Sequence, residues 1–311
     1  MPYIRAGEDG NAGGGDTGIE LYYEDQGSGA PVVLIHGYLL NGRSWRRQTR
    51  ALLDAGFRVI AYDRRGYGRS ARPHSGHDAD TLAADLHSVL TALDLTDAAL
   101  VGFSMGTGEV ARYLSTYGSG RIAKAVFLAP VLPYLVQGPD NPEGVDRAEF
   151  ERAHATLTQD REAFLTTFFE DLYHLDETLG SRIDEADVQA HRAAARSASQ
   201  RAAEGAIRPL LTDYRPDLPA VDVPALILHG TADRITPIAA STRPLRRMLP
   251  HARYVEIDGA PHGLLWTHTE EVNRHLVTFL TSPAAPATPR ATATNSPGPE
   301  GSGPTAGSAR G

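Results

Sequence analysis

Gly102-Phe103-Ser104-Met105-Gly106 sets a serine between two glycines, directly after the apolar run Ala98–Val101 and just ahead of a helix-forming stretch, Glu109–Tyr117. A G-x-S-x-G between a strand and a helix predicts a nucleophilic serine on a sharp turn. Side chains on the flanking positions would clash there, so glycine is required. The turn also directs the Met105 N–H to a helix N-terminus, where a developing oxyanion is stabilised. A hydroxyl is a weak nucleophile without a base, and the base needs an orienting acid. The sequence supplies both in order. Ala225–Leu228 runs into His229-Gly230-Thr231-Ala232-Asp233, and Tyr254–Ile257 runs into Asp258-Gly259-Ala260-Pro261-His262-Gly263. Asp233 and His262 thus follow two successive strands, in the chain order Ser, Asp, His expected for this arrangement.

Rival residues are less well placed. His36 and His229 close strands, which suits packing or loop hydrogen bonds. His251 follows Pro250 in a surface connection, and His268 and His275 belong to the last helix. Among the acids, Asp258 shares the strand end of His262, and Asp140 lies about ten residues beyond its strand. The second oxyanion donor should come from the loop after an earlier strand. Pro31–Ile35 leads into His36-Gly37-Tyr38-Leu39-Leu40, and the Tyr38 N–H is the candidate. Phe103, Leu39 and Trp266 flank these groups in sequence and are candidates for the substrate pocket.

Two other patterns are set aside. Gly106-Thr107-Gly108-Glu109-Val110-Ala111 matches the dinucleotide fingerprint G-x-G-x-x-A, but the next strand ends Leu128-Ala129-Pro130 with no acid to hold a ribose. His74-Ser75-Gly76-His77-Asp78 resembles a metal-ligand cluster, yet it lies in a Pro/Gly loop with no helix to set ligand spacing. No metal site is expected.

The elements that must carry these groups alternate. Strands are expected at 19–23, 31–35, 58–62, 98–102, 122–128, 225–228 and 254–257, and helices at 45–55, 81–93, 109–117, 238–248 and 270–281. Alternation of this kind predicts an α/β fold, a mostly parallel sheet with helices on both faces. Right-handed crossovers then gather the strand C-termini on one edge. Residues 131–220 break the alternation with helical patterns and read as a helical cap. The core is then 1–130 together with 221–281. From Ser282 to Gly311 there is no large apolar residue, so 282–311 reads as a disordered tail.

Composition narrows the function classes. The chain has 311 residues, 41% of them hydrophobic, enough for a sizeable core. A net charge of -8 argues against a nucleic-acid partner or a polybasic membrane contact. With no cysteine there is no disulfide, thiolate metal site or cysteine nucleophile. No apolar segment is long enough for a leader or a membrane span, so a cytoplasmic location is the expectation. A homo-oligomer is compatible with the sequence. Lys124, the lone lysine among many arginines, reads as coding bias rather than function.

Taken together, these residues resemble the α/β-hydrolase fold over about 19–281. Val101 to Tyr113, Asp63-Arg64-Arg65-Gly66-Tyr67-Gly68-Arg69-Ser70, Asp140-Asn141-Pro142-Glu143-Gly144 and Gly259 to His268 are similar to the bacterial cofactor-free (non-haem) haloperoxidases and related esterases. The resemblance implies a catalytic triad of Ser104, Asp233 and His262, with Tyr38 and Met105 forming the oxyanion hole. It implies a small ester or acid substrate and no haem, metal or flavin. In that branch an acyl-serine is released by water, or by peroxide to give a peracid that oxidises halide in solution. Carbon–carbon bond hydrolases, lactonases and catalytically silent ligand-binding proteins share the fold and are the alternatives. One position departs from the branch: Leu39 stands where proline follows the aromatic residue. Proline there would fix φ near -65° beside the second oxyanion donor, so its absence bears on perhydrolysis more than on ester hydrolysis.

Overall fold

Apolar runs too continuous to leave one face wet become the inner strands of a single sheet. The computed structural model describes residues 2–8 and 18–283. The glycine-rich residues 9–17 and the tail from residue 284 lie outside the described residues.

Eight strands form the sheet: β1 (Tyr3–Glu8), β2 (Gly18–Gln26), β3 (Pro31–Ile35), β4 (Arg58–Tyr62), β5 (Ala98–Phe103), β6 (Ile122–Leu128), β7 (Ala225–Gly230) and β8 (Arg253–Ile257). Their order is β1-β2-β4-β3-β5-β6-β7-β8. β1 and β2 are antiparallel, β2 runs antiparallel to β4, and every other pairing is parallel. The β1 hairpin partner was not anticipated, because Tyr3–Glu8 mixes charged and apolar residues as an edge strand does.

The helices are α1 (Arg46–Asp54), α2 (Ala79–Ala92), α3 (Met105–Tyr117), α4 (Arg147–Gln159), α5 (Arg161–Tyr173), α6 (Leu175–Thr178), α7 (Glu185–Ser197), α8 (Gln200–Gly205), α9 (Ile207–Leu211), α10 (Thr242–Met248), α11 (Leu264–Thr267) and α12 (Thr269–Thr281). Alternate residues of each inner strand enter opposite core layers. Val32, Leu34, Val101, Phe103, Leu226 and Leu228 pack on the side of α1 and α12. Val33, Ile35, Leu100, Ile227 and the apolar stripes of α2 and α3 fill the other side. Period-2 alternation on strands buried on both faces explains why these runs read as uniformly apolar.

The stretch from α4 to α9 is helical apart from short connections, one of which holds the isolated bridge Leu179–Ile183; the bridges Val136–Val145 and Gly138–Asn141 lie ahead of α4. It docks on the strand C-termini through a few specific bonds. The Gly263 N–H donates to the Leu172 carbonyl at 2.6 Å, and the Ser199 N–H donates to the Gly66 carbonyl at 2.8 Å.

Lys124 is not idle. It lies on β6 and donates from Nζ to the carbonyls of Phe279 at 3.0 Å, Leu280 at 2.7 Å and Ser282 at 2.5 Å. A cation there satisfies orphan carbonyls at the negative end of α12. Ser282 therefore belongs to the helix terminus rather than to the tail. Among the described residues, no helix is long and apolar enough to cross a membrane.

Candidate active site

β5 ends at Phe103, and Ser104 turns the chain with φ 52° and ψ -121°. A positive φ on a non-glycine residue costs roughly 1–3 kcal/mol. Three bonds hold it: the Ser104 N–H donates to the Leu128 carbonyl at 2.9 Å, and the Ser104 carbonyl accepts from the Thr107 N–H at 2.9 Å and from Thr107 Oγ1 at 2.6 Å. The flanking glycines are forced by contact. A Cβ on Gly102 would lie 2.6 Å from the Gly106 carbonyl oxygen, and one on Gly106 would lie 2.5 Å from the Ile35 carbonyl oxygen. Gly108, the other glycine of the discarded dinucleotide pattern, makes room for Tyr214, whose ring would be 2.4 Å from a Cβ there. α3 starts at Met105, four residues earlier than its sequence pattern suggested, because the turn itself opens the helix.

Two loops complete the arrangement. A Cβ on Gly230 would lie 2.1 Å from the Ala260 carbonyl oxygen, so glycine lets the ends of β7 and β8 approach. Asp233 and His262 then meet. His262 Nδ1 is 2.6 Å from Asp233 Oδ2, and His262 Nε2 is 2.8 Å from Ser104 Oγ. Asp233 Oδ1 accepts from the Ile235 and Thr236 amides at 2.8 and 2.7 Å, while Oδ2 also faces Thr236 Oγ1 at 3.0 Å and His229 Nε2 at 2.8 Å. Burial alone would raise the Asp233 carboxyl, but the His262 charge and hydrogen bonds from His229 and His262 outweigh it and hold it far below the usual carboxylate range.

The H-G-Tyr loop sits against the serine. A Cβ on Gly37 would be 2.8 Å from the Phe103 ring and 3.3 Å from Ser104 Cβ. Among the described residues, neither the Tyr38 nor the Met105 amide has an acceptor in the protein. The loop is fixed from below: Arg64 donates from Nη2 to the His36 carbonyl at 2.8 Å and pairs through Nε with Glu109 of α3 at 2.8 Å. A wholly buried ion pair of this kind ties α3, which Ser104 opens, to the His36–Tyr38 loop. From above, the Tyr38 hydroxyl donates to the Ala203 carbonyl of α8 at 2.9 Å. Leu39 is buried with φ 58°. Proline cannot adopt that angle, so a proline here would have to turn the Tyr38–Leu39 peptide over rather than stiffen it in place.

Phe103, Leu39 and Trp266 share one core layer, with the Phe103 ring tilted against His262 at 5.2 Å and Trp266 edge-on to Phe103 at 5.8 Å. Tyr38 meets Phe164 and Phe168 of α5. Ser104 is 4% exposed. A separate cleft of about 1130 Å³ lies between α1 and α7; it reaches Trp266 but none of Ser104, Asp233 and His262.

The rival residues are spent elsewhere. Asp258 accepts from Thr231 Oγ1 at 3.2 Å, Asp140 pairs with Arg215 at 3.4 Å, and His36 bonds the Gly37 carbonyl through Nδ1 and accepts the Arg64 N–H, from beyond β4, at Nε2. Asp78 caps α2 by accepting from the Thr81 N–H at 2.9 Å. Among the described residues, no group of three or more His, Asp or Glu is arranged to hold a metal ion. His229 and Thr236, bonded to Asp233, were not recognised in the sequence. The signal was available: His229 stands four residues before Asp233 at a strand end.

This geometry has close counterparts. A sequence model of the alpha/beta hydrolase fold matches residues 30–269. A Synechocystis protein with a provisional non-heme chloroperoxidase name is 48% identical over 90% of this chain and 100% of its own length. The bifunctional esterase/perhydrolase DCH of Acinetobacter calcoaceticus is 32% identical over 85% of this chain and 97% of its own. The crystal structure of a bromoperoxidase from Bacillus anthracis superposes with a TM-score of 0.84 at 42% identity, covering 90% of this chain and 100% of that one. With a strand–serine–helix turn at the sheet edge and these relatives spanning nearly their whole length, the chain belongs to the α/β-hydrolase fold family of enzymes.

Proposed function

We propose that the protein is a serine hydrolase of small carboxylic esters, working through an acyl-enzyme, with peracid formation when hydrogen peroxide replaces water. One observation carries this reading: a single imidazole bridges Ser104 Oγ at 2.8 Å and the Asp233 carboxylate at 2.6 Å. Asp233 can only accept, so His262 carries its proton on Nδ1 and offers the Nε2 lone pair to the serine. Ser104 Oγ attacks the ester carbonyl carbon while its proton passes to His262 Nε2. The carbonyl oxygen takes the negative charge beside the Met105 and Tyr38 N–H groups, each worth about 3 kcal/mol. Collapse breaks the bond to the alcohol, which leaves with the proton from His262. Water, deprotonated by His262, then attacks the acyl-serine and releases the acid. Peroxide entering by the same route releases a peracid and regenerates the same serine. The esterase/perhydrolase name of the Acinetobacter relative supports both outcomes.

The test is direct. Ser104→Ala should remove p-nitrophenyl acetate hydrolysis and covalent labelling by a fluorophosphonate while the circular-dichroism spectrum stays unchanged. Turnover near that of the unaltered protein in a folded Ser104→Ala variant would overturn the assignment.

A further inference from the structure

Asp233 Oδ2 is shared. It receives His262 Nδ1 at 2.6 Å and His229 Nε2 at 2.8 Å, with the Thr236 hydroxyl a third donor at 3.0 Å. His229 has no exposed surface, and its Nδ1 contacts Thr242 Oγ1, the hydroxyl of the first residue of α10. An ionised carboxylate offers only acceptors, so both imidazoles must donate to it. That requirement sets opposite tautomers. His262 holds its proton on Nδ1, leaving Nε2 free for the serine. His229 holds its proton on Nε2, and its bare Nδ1 accepts from the Thr242 hydroxyl.

We propose that His229 is a positioning residue for the reaction, a neutral second imidazole that pins Asp233 Oδ2 in line with His262, with Thr242 selecting its tautomer. The idea rests on the acyl-serine reading above. His229 must stay neutral to serve. If it took a second proton it would consume the Asp233 charge that the His262 imidazolium needs while the oxyanion is present. His229 is wholly buried, and the Thr242 hydroxyl donates to Nδ1 only while that nitrogen is bare. The carboxylate's other oxygen is held by the Ile235 and Thr236 amides, so with His229 the group is fixed at both ends.

Other charges near the site come from each neighbouring element. On the α5–α6 side stand His174, Asp176 and Glu177, the two acids paired with Arg234 at 3.2 Å each. On β8, Glu256 is the register partner of His229 and lies 3.9 Å from Arg243 of α10, and Asp258 bonds Thr231. None of these bonds Asp233 Oδ2.

The experiment compares His229→Leu, His229→Gln and Thr242→Val with the unaltered full-length protein. It measures fluorophosphonate labelling rate, kcat and KM for p-nitrophenyl acetate, and the pH dependence of kcat/KM. Losing the His229 donor should lower kcat in His229→Leu by about 10–100-fold, the scale known for outer hydrogen-bond partners that orient metal-binding side chains, with KM nearly unchanged. It should also move the acid limb of kcat/KM to higher pH, because Asp233 then keeps more charge for the His262 imidazolium. His229→Gln retains an amide N–H near the Nε2 position and should recover most of both effects. Thr242→Val should shift both in the same direction by a smaller amount. A purely structural role would lower the melting temperature and leave the acid limb in place. A folded His229→Leu protein with the original labelling rate and acid limb overturns the proposal. If His229→Leu does not fold, an unchanged kcat and pH profile in Thr242→Val overturns it. If the unaltered protein itself resists the fluorophosphonate, the acyl-serine reading fails instead.

Discussion

Asp233→Asn gives the most discriminating prediction, because the hydrogen-bond pattern dictates which way the new amide must point. Oδ1 accepts from two backbone amides, Ile235 at 2.8 Å and Thr236 at 2.7 Å. Those donors are fixed, so the asparagine oxygen must remain there. Its NH2 group then takes the place of Oδ2 and faces His262 Nδ1, 2.6 Å from the present oxygen. A donor at that point forces His262 to carry its proton on Nε2, facing Ser104, where it cannot act as base. His229 can respond by moving its own proton to Nδ1 and donating to Thr242, so the fold survives. Activity falls by roughly 10⁴ in kcat, the cost of holding a triad histidine in the wrong tautomer. That equals about 5.4 kcal/mol of transition-state stabilisation at 1.36 kcal/mol per decade. The assay is kcat/KM for p-nitrophenyl acetate between pH 5 and 9, with a thermal melt as the control for folding. A folded variant within tenfold of the original rate would refute the argument. The same carboxylate has a pH consequence. Its folded-state pKa is depressed, so ionised Asp233 contributes stability above the unfolded value of about 3.9 that is lost as pH falls through the folded one. The acid limb of activity at milder pH therefore cannot arise from Asp233.

Leu39→Pro should raise the ratio of peracid formation to ester hydrolysis, measured on one acetyl donor with and without peroxide. It should also lower the melting temperature, since φ must leave 58°; an unchanged ratio in an active protein would remove Leu39 as a determinant. Lys124→Met should cost about 1–3 kcal/mol of stability in urea denaturation by leaving buried carbonyls of α12 without a donor, whereas truncation after Pro283 should leave the melting temperature within a degree or two. Gly108→Ala should destabilise by about 1–3 kcal/mol through displacement of Tyr214, despite alanine's higher helix propensity; a stabilised variant would show that the Tyr214 contact relaxes freely.

The chemistry-bearing residues were legible because each belongs to a local pattern. Gly102 and Gly106 around Ser104 answer to a turn a few residues long, and the inner strands announce themselves by continuous apolar runs that must be buried on both faces. The order of Ser104, Asp233 and His262 follows from parallel crossovers, which place successive strand ends on one edge. Other features were decided by contacts between distant segments. His229 looks like any strand-closing histidine until the turn at Gly230 brings Asp233 back onto it. Lys124 looks idle until α12 lays its carbonyl end beside β6. Leu39 looks like a simple replacement for proline until its positive φ, which proline cannot adopt, is seen. Local rules read residues within a turn or a strand of one another; the partners of His229, Lys124 and Leu39 are set by how loops, helices and sheet edges close together.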